Sequence, residues 1–383
     1  MFKPCTFGIE EEYLLVETAT GKVLATPSPV VGNLCREVMG QYFAEEMFRC
    51  QIEVASPIFD HVRQAQQFFG DSRQRLHEAL AEEGAALYCA GSHPSAQWQR
   101  QRPRTTPRYW QLFDDYQHVA RRSLLSGLHV HVGVPPGCDR IQLINQVVYW
   151  LPMFLLLSSS SPLWSGENTG YMSYRRAICG EWPHMGLPEP LADWTAYQRY
   201  RGLLQRTSSL ASDGAFWWAL RPSQRFATVE LRISDGCPRL EDALCIAGLF
   251  RHLVECCVMP HYAPAPASRE THWITQENYW RAMRHGRHGQ FIGLEQQQPV
   301  SALGWLAQLR GQHPPDSVDA ERAFMQAQRI LTEGTSADRQ LECLEHARLA
   351  GRDKRQGLRE VVEMVVAEGQ GAWPISNLNL TQP

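Results

Sequence analysis

Apolar and polar residues alternate one for one in four separate stretches of the chain, and a period of two is the signature of a strand with two unlike faces. Residues 7–16 (FGIEEEYLLV) send Glu10 and Glu12 to one face and Glu11 to the other. Residues 51–55 (QIEVA) set Ile52 and Val54 against Glu53. Residues 128–134 (LHVHVGV) set Leu128, Val130, Val132 and Val134 against His129 and His131. Residues 227–235 (ATVELRISD) set Val229, Leu231 and Ile233 against Thr228, Glu230, Arg232 and Ser234. If the four share one sheet, its polar face gathers Glu10, Glu12, Glu53, His129, His131, Glu230 and Arg232. Taken singly, each has a duller reading: an acidic edge strand in water, or a surface cross-strand pair of Glu230 and Arg232.

Between these strands the pattern lengthens to helical spacing. A short helix is expected near 33–39, and Asp60 is placed to cap one running to about residue 83. Residues 86–90 read as a buried strand that opens into the loop 91–104 (GSHPSAQWQRQRPR), and 109–122 reads as helix. Asp139 caps a long apolar helix to about 159, followed by SSSSPLWSGENTGY (158–171), expected to be a flexible polar connection. Residues 216–226 form the first strand and turn of a hairpin into the Glu230 strand. A helix over 241–258 is closed by the stretch 260–266, another over 276–285 ends at Gly286, and Gly334 and Gly351 separate amphipathic helices between 318 and 368. Strands interspersed with long helices, without regular βα alternation or a glycine fingerprint, predict an α+β fold: one antiparallel sheet with helices on its apolar face. The chain reads as a single domain over 1–383, with a mainly helical part at about 317–370.

Composition narrows the function. With 37 Lys and Arg against 40 Asp and Glu, the net charge of -3 argues against a protein that coats nucleic acid. The basic stretch 100–108 suits an anionic small molecule better than a polyanion. Eleven scattered cysteines, with no CxxC pair, describe no disulfide framework and fit a reducing cytoplasm. The N-terminus carries acidic residues by position 10 where a signal peptide is apolar, and the apolar window 141–157 is interrupted by Gln142, Asn145, Gln146 and Pro152, so it reads as a buried helix and not a membrane span.

Carboxylates crowded on one face repel each other, and oxygen ligands of this kind suit Mg²⁺ or Mn²⁺. Mg²⁺ is commonly shared between carboxylates and substrate phosphates, which points to two or more ions and a nucleoside triphosphate. Glu10, Glu12, Glu53, His129 and Glu230 are the candidate metal ligands, and His131, Arg225 and Arg232 the candidate nucleotide contacts. Arg221 and Arg232 can neutralise a transferring phosphoryl group. One alternative is a zinc hydrolase using both histidines of the His-x-His strand, and another is a catalytically degenerate protein that serves as a binding or structural module.

In order along the chain, FGIEEEYLLV, GSHPSAQWQRQ, GLHVHVGV, WALRPSQRFATVELRISD, ENYWRAMRHG and GTSADRQL resemble the carboxylate-amine ligase family also called glutamate-cysteine ligase type 2, over about residues 6 to 345. The resemblance implies a funnel-shaped antiparallel sheet of the glutamine synthetase catalytic-domain type with helices on its outer face. It also implies ATP-dependent joining of a carboxylate and an amine, weak glutamate-cysteine ligase activity, and a homodimer acting on small molecules. By similarity, the E-x-E pair falls on Glu10 and Glu12, further metal contacts on Glu53 and His129, and the E-x-R element on Glu230 and Arg232. His131 and Arg221 resemble nucleotide and phosphate contacts, and Arg281 a substrate or γ-phosphate contact. Glu11 between the pair and Thr228, where glutamine synthetases carry an arginine, depart from the common pattern. The loops 91–108 and 158–171 are the candidate lids.

Overall fold

The structure, a computed structural model, describes residues 4–210, 216–259, 268–294 and 297–371. Its centre is a seven-stranded antiparallel sheet built on β1 (Phe7–Glu17), with β2 (Phe43–Glu45), β3 (Gln51–Ala55), β4 (Ala85–Tyr88), β5 (Gly127–Gly133), β6 (Leu220–Pro222) and β7 (Thr228–Asp235). The order is β6-β7-β5-β1-β3-β2, and β4 pairs with the second half of β1. All four alternating stretches therefore lie in one sheet, side by side.

One face is apolar because the alternation requires it. Phe7, Ile9, Tyr13 and Leu15 of β1, Leu128, Val130 and Val132 of β5, and Val229, Leu231 and Ile233 of β7 are buried in one core. Helices α1 (Pro29–Met39) and α2 (Val62–Ala81) cover part of it, and α3 (Pro107–Arg122) lies on the other side of the sheet. The cap of α2 differs from expectation. His61 and not Asp60 takes the N-cap position, and the N–H groups of both donate to the Gln64 side chain.

The apolar stretch after Asp139 is two helices. Asp139 caps α4 (Arg140–Val147) as expected, but a tight turn at Val148–Trp150 precedes α5 (Leu151–Ser158), with Pro152 in its first turn. Proline lacks the N–H that a continuous helix would need there, so it opens a new one. The whole stretch 140–158 is long and apolar enough to cross a membrane, yet 83% of it is buried inside the protein.

The first half of the segment expected to be flexible, residues 158–164, is buried. Ser158, Ser159, Ser160 and Ser161 all lie in the interior, where backbone and hydroxyl groups bond to Asp235, Gly236 and their own helix end. The start of the other candidate lid is fixed too: Ser92 and His93 are buried, with hydrogen bonds to the Leu163 and Gly21 carbonyls. After α6 (Tyr174–Cys179) and α7 (Trp194–Arg206), the hairpin leads to α8 (Leu240–Val258). The stretch 260–266 expected to close α8 lies outside the described residues. Helix α9 (Arg269–His285) ends at Gly286, whose φ of 53° suits glycine. Helices α10 (Ala302–Gln312), α11 (Val318–Glu333), α12 (Ser336–Leu349) and α13 (Lys354–Gly369) follow, with Gly334 and Gly351 at the breaks. All eleven cysteines are free thiols.

Candidate active site

Strand register turns the polar face into a site. Glu12 lies opposite Glu53, Glu10 opposite His129, His131 opposite Glu230, and Glu230 opposite Arg221. Directly opposed residues share a face, so these side chains converge on one cavity of about 620 Å³. Glu10, Glu12, Glu53, His129, His131, Arg221, Arg225, Glu230 and Arg232 all line it.

Glu11 points the other way, as alternation demands. It is buried against α2, where its oxygens accept from Arg73 Nη2 at 2.7 Å and Nε at 3.0 Å, and the Tyr13 hydroxyl donates to it as well. Three consecutive glutamates thus serve two sides of the sheet, and the E-x-E register falls on Glu10 and Glu12.

Two sets of ligand atoms lie close enough to hold a cation: Glu10, His129 and Glu230, and Glu12, Glu53 and His129. The atoms of each set are within 4.8 Å of one another. The shared ring turns Nδ1 toward Glu10 at 3.2 Å and Nε2 toward Glu12 at 3.8 Å. Burial and neighbouring carboxylates push Glu12 up to about 7 and Glu53 well above its ordinary value. For Glu10 burial acts upward too, but hydrogen bonds to His129 and His131 outweigh it and hold the group well below its usual range. Burial and the Arg232 charge bring His129 down to about 4, so the ring is a neutral ligand near neutral pH. Buried carboxylates that repel one another are relieved by a divalent cation among them, and the donor set fits one. Each set is rich in oxygen and has one imidazole, which suits Mg²⁺ or Mn²⁺ better than the two-histidine zinc site considered above.

His131 stands beside these sets. Its Nδ1 meets the Thr228 hydroxyl at 3.2 Å and its Nε2 lies 3.3 Å from Glu10. Thr228, the departure noted in the E-x-R strand, therefore orients a histidine. Glu230 takes two hydrogen bonds from Arg221, at 2.7 and 3.1 Å, and another from Arg232. Burial opposes its charge, but Arg232 and Arg221 together hold the carboxyl at about 2. Arg225 is exposed at the mouth, with its guanidinium over the Phe226 ring.

Arg281 is not brought here. It lies on α9, paired with Glu277 at 2.8 Å and donating to the Gln290 carbonyl, and it does not line the cavity. Its neighbour Asn278 is fully buried and bonds both ways with the Ile292 backbone, a structural role.

Two groups that line the cavity, and one buried beside it, escaped the sequence reading. Glu46, just past β2, lines the cavity beside Glu53, and burial raises its pKa. The short run 43–46 carries the alternation that could have found it, since Ala44 lies opposite Glu53 and Glu46 is two residues on. Asp235 arrives by a β-bulge. Between Leu231 and Ser234 the β7 register slips by one residue, so Asp235, and not Ser234 as alternation predicts, shares the face of Gly127. Arg175, from α6, completes the floor and has no sequence signal of its own.

The glutamate-cysteine ligase family 2 model matches residues 6–364. A relative from Pseudomonas entomophila, provisionally named glutamate-cysteine ligase 2, is 67% identical over 96% of this chain and 97% of its own length. One of the same provisional name from Pseudomonas aeruginosa PAO1 is 42% identical, covering 94% and 95%. Among solved structures, the glutamate-cysteine ligase of Francisella tularensis in complex with AMP superposes with a TM-score of 0.69 at 12% identity, covering 96% of this chain and 89% of that one. The bifunctional glutathione synthetase of Pasteurella multocida gives 0.66 at 16%, covering 96% and 53%. The Pup ligase PafA gives 0.53 at 11%, covering 95% and 72%. At these identities the superpositions establish a shared fold. With the family model spanning nearly the whole chain and relatives at up to 67% identity, the protein belongs to glutamate-cysteine ligase family 2.

Proposed function

We propose that the protein is an ATP-dependent carboxylate-amine ligase that joins L-glutamate to L-cysteine with release of ADP and phosphate. The observation that carries this reading is the pair of cation-ligand sets sharing His129, with Arg221 and Arg232 fixed beside them on Glu230. A carboxylate resists attack by an amine because its charge is spread over two oxygens. Transfer of the γ-phosphoryl group of ATP to one oxygen gives an acyl phosphate. The amine then attacks the carbonyl carbon, the carbon-oxygen bond to phosphate breaks, and the nitrogen loses a proton.

Glu10, His129 and Glu230 would hold one divalent cation, and Glu12 and Glu53 a second. Such cations neutralise the charge of the triphosphate and of the phosphoryl group in transfer. Arg232 and Arg221 donate to developing oxygen charge, held in place by Glu230 at no further cost of ordering. His131, fixed by Thr228, and Arg225 at the mouth meet the nucleotide. Trp182, Trp217 and Phe226 give the cavity an apolar lining that limits water, which would hydrolyse an acyl phosphate.

The test is ADP and phosphate release with Mg²⁺ and ATP, with each substrate omitted in turn and the product weighed by mass spectrometry. Turnover is expected only with both substrates, and Glu10→Gln is expected to lower it by about 100-fold or more. Undiminished turnover in that variant contradicts the reading.

A further inference from the structure

Arg175 is a buried guanidinium that the chemistry above leaves unused. It lies in the first turn of α6, and its backbone N–H donates to the Ser161 hydroxyl at 3.0 Å. The side chain reaches the cavity floor, where the sheet makes room for it. A Cβ on Gly127 would sit 2.3 Å from Arg175 Nη2 and 3.0 Å from His129 Nε2. Guanidinium and shared imidazole therefore border one small volume, next to Glu12, whose carboxylate accepts from the Gly127 N–H at 2.5 Å.

The charge of Arg175 is matched less closely than those of Arg221 and Arg232. Arg221 and Arg232 both bond directly to Glu230. For Arg175 the Asp235 carboxylate stands off at 3.8 Å, and the hydrogen bond to the Ile233 carbonyl is long, at 3.4 Å. Asp235 is occupied elsewhere, accepting from the Ser160 N–H at 3.1 Å and the hydroxyls of Ser161 and Ser173 at 2.6 and 2.8 Å. It steers the guanidinium without saturating it. Cys179, one helical turn on, and Trp182 continue from Arg175 as a wall of the same cavity. A planar cation at the end of a mainly apolar wall is built for a carboxylate on a short aliphatic body.

We propose that Arg175 is the residue that binds the non-reacting carboxylate of the dicarboxylic acid substrate. The proposal rests on the ligase reading. Arg221 and Arg232, the groups that would meet the transferring phosphoryl, gather around Glu230, so the carboxylate to be activated belongs on that side. A carboxylate at Arg175 is then the second one.

The experiment compares L-glutamate with 4-aminobutanoate, which lacks the second carboxylate, in wild type and Arg175→Gln. Wild type is expected to favour glutamate by about tenfold or more in kcat/KM, and the variant to lose that preference while KM for ATP changes less than about twofold. A purely structural role would depress both acids alike, and that result overturns the proposal. So does a variant that keeps the preference, or one whose loss falls on KM for ATP. Calorimetric titration of glutarate into protein holding Mg²⁺ and a non-hydrolysable ATP analogue reads the same contact without turnover. Binding to wild type that Arg175→Gln removes supports the proposal, and no binding to wild type or equal binding to both overturns it. A failure of ligase turnover would therefore be told apart from a failure of the Arg175 contact. Should Arg175→Gln not fold, Arg175→Lys, which keeps the charge and loses the planar pair of donors, carries both measurements with the same outcomes.

Discussion

Replacing Glu11 by Gln tests the division of three consecutive glutamates between two sides of a sheet. Glu11 and Arg73 have side chains 2% and 4% exposed, and Arg73 is further held by the carbonyls of Cys237 at 2.9 Å and Pro238 at 2.5 Å. The amide keeps the shape of the carboxylate and removes its charge, leaving a guanidinium in the core that the two carbonyls only partly satisfy. Removing one partner of a buried pair costs about 3–5 kcal/mol, because the remaining charge is desolvated without compensation. The pair itself is worth much less, since both charges were taken out of water to form it. Glu11→Leu combined with Arg73→Met is therefore expected to recover most of the loss, to within about 2 kcal/mol of wild type. Urea denaturation followed by circular dichroism, with the slope checked for constancy, measures both variants. If Glu11→Gln costs under about 1 kcal/mol, or the double variant is no better than the single one, the buried pair does not govern this part of the sheet. A substitution at Glu10 is expected to leave stability nearly intact and to act on cation binding, so adjacent positions should show opposite phenotypes.

Cation affinity should rise with pH. Glu12, raised to about 7, and Glu53, raised well above its ordinary value, hold protons that a cation must displace, so calorimetry in buffers of different ionisation heat should find proton release and weaker Mg²⁺ or Mn²⁺ binding at pH 6 than at pH 8. The sign for stability without cation is the reverse. Folded-state values above the unfolded ones mean that the folded chain binds more protons, so the contribution of Glu12 is present below the ordinary glutamate pKa and is lost as pH rises through about 7. A flat response of both quantities between pH 6 and 8 would contradict this. Gly91→Ala should destabilise by about 1–3 kcal/mol in thermal melts, since its Cβ would lie 2.6 Å from Asp235 Cγ in a packed interior, and a neutral result would mean that the serine network there is looser than it looks. Thr228→Val removes the hydroxyl that orients His131 and should weaken ATP-analogue or cation binding by about tenfold without unfolding the protein. Unchanged binding would deny the threonine that part.

Much of the site was legible because period two is a local property. Glu10, Glu12, Glu53, His129 and His131 had to share faces with their strand neighbours wherever those strands lay, and Glu230 likewise up to the bulge. Arg281 was assigned through a family motif, and contacts made along its own helix and to the Gln290 carbonyl keep it away from the cavity. The serine tract read as flexible because hydroxyl groups are polar. Buried, each finds a partner in Asp235, Gly236 or a helix-end carbonyl, and only packing supplies those partners.

The sequence by itself determined which side chains each strand turns toward the same side, and that the crowded carboxylates called for countercharge. Tertiary structure alone decided how the strands stand against one another: Glu12 across from Glu53, and Asp235 carried by a one-residue bulge onto the face where Ser234 was expected. It also brought Glu46 from the sheet edge and Arg175 from a short helix to the same cavity. The reason is range. Alternation follows from the geometry of adjacent peptide units, whereas register and bulges are set by the packing of a whole sheet against its helices, summed over residues far apart in the chain.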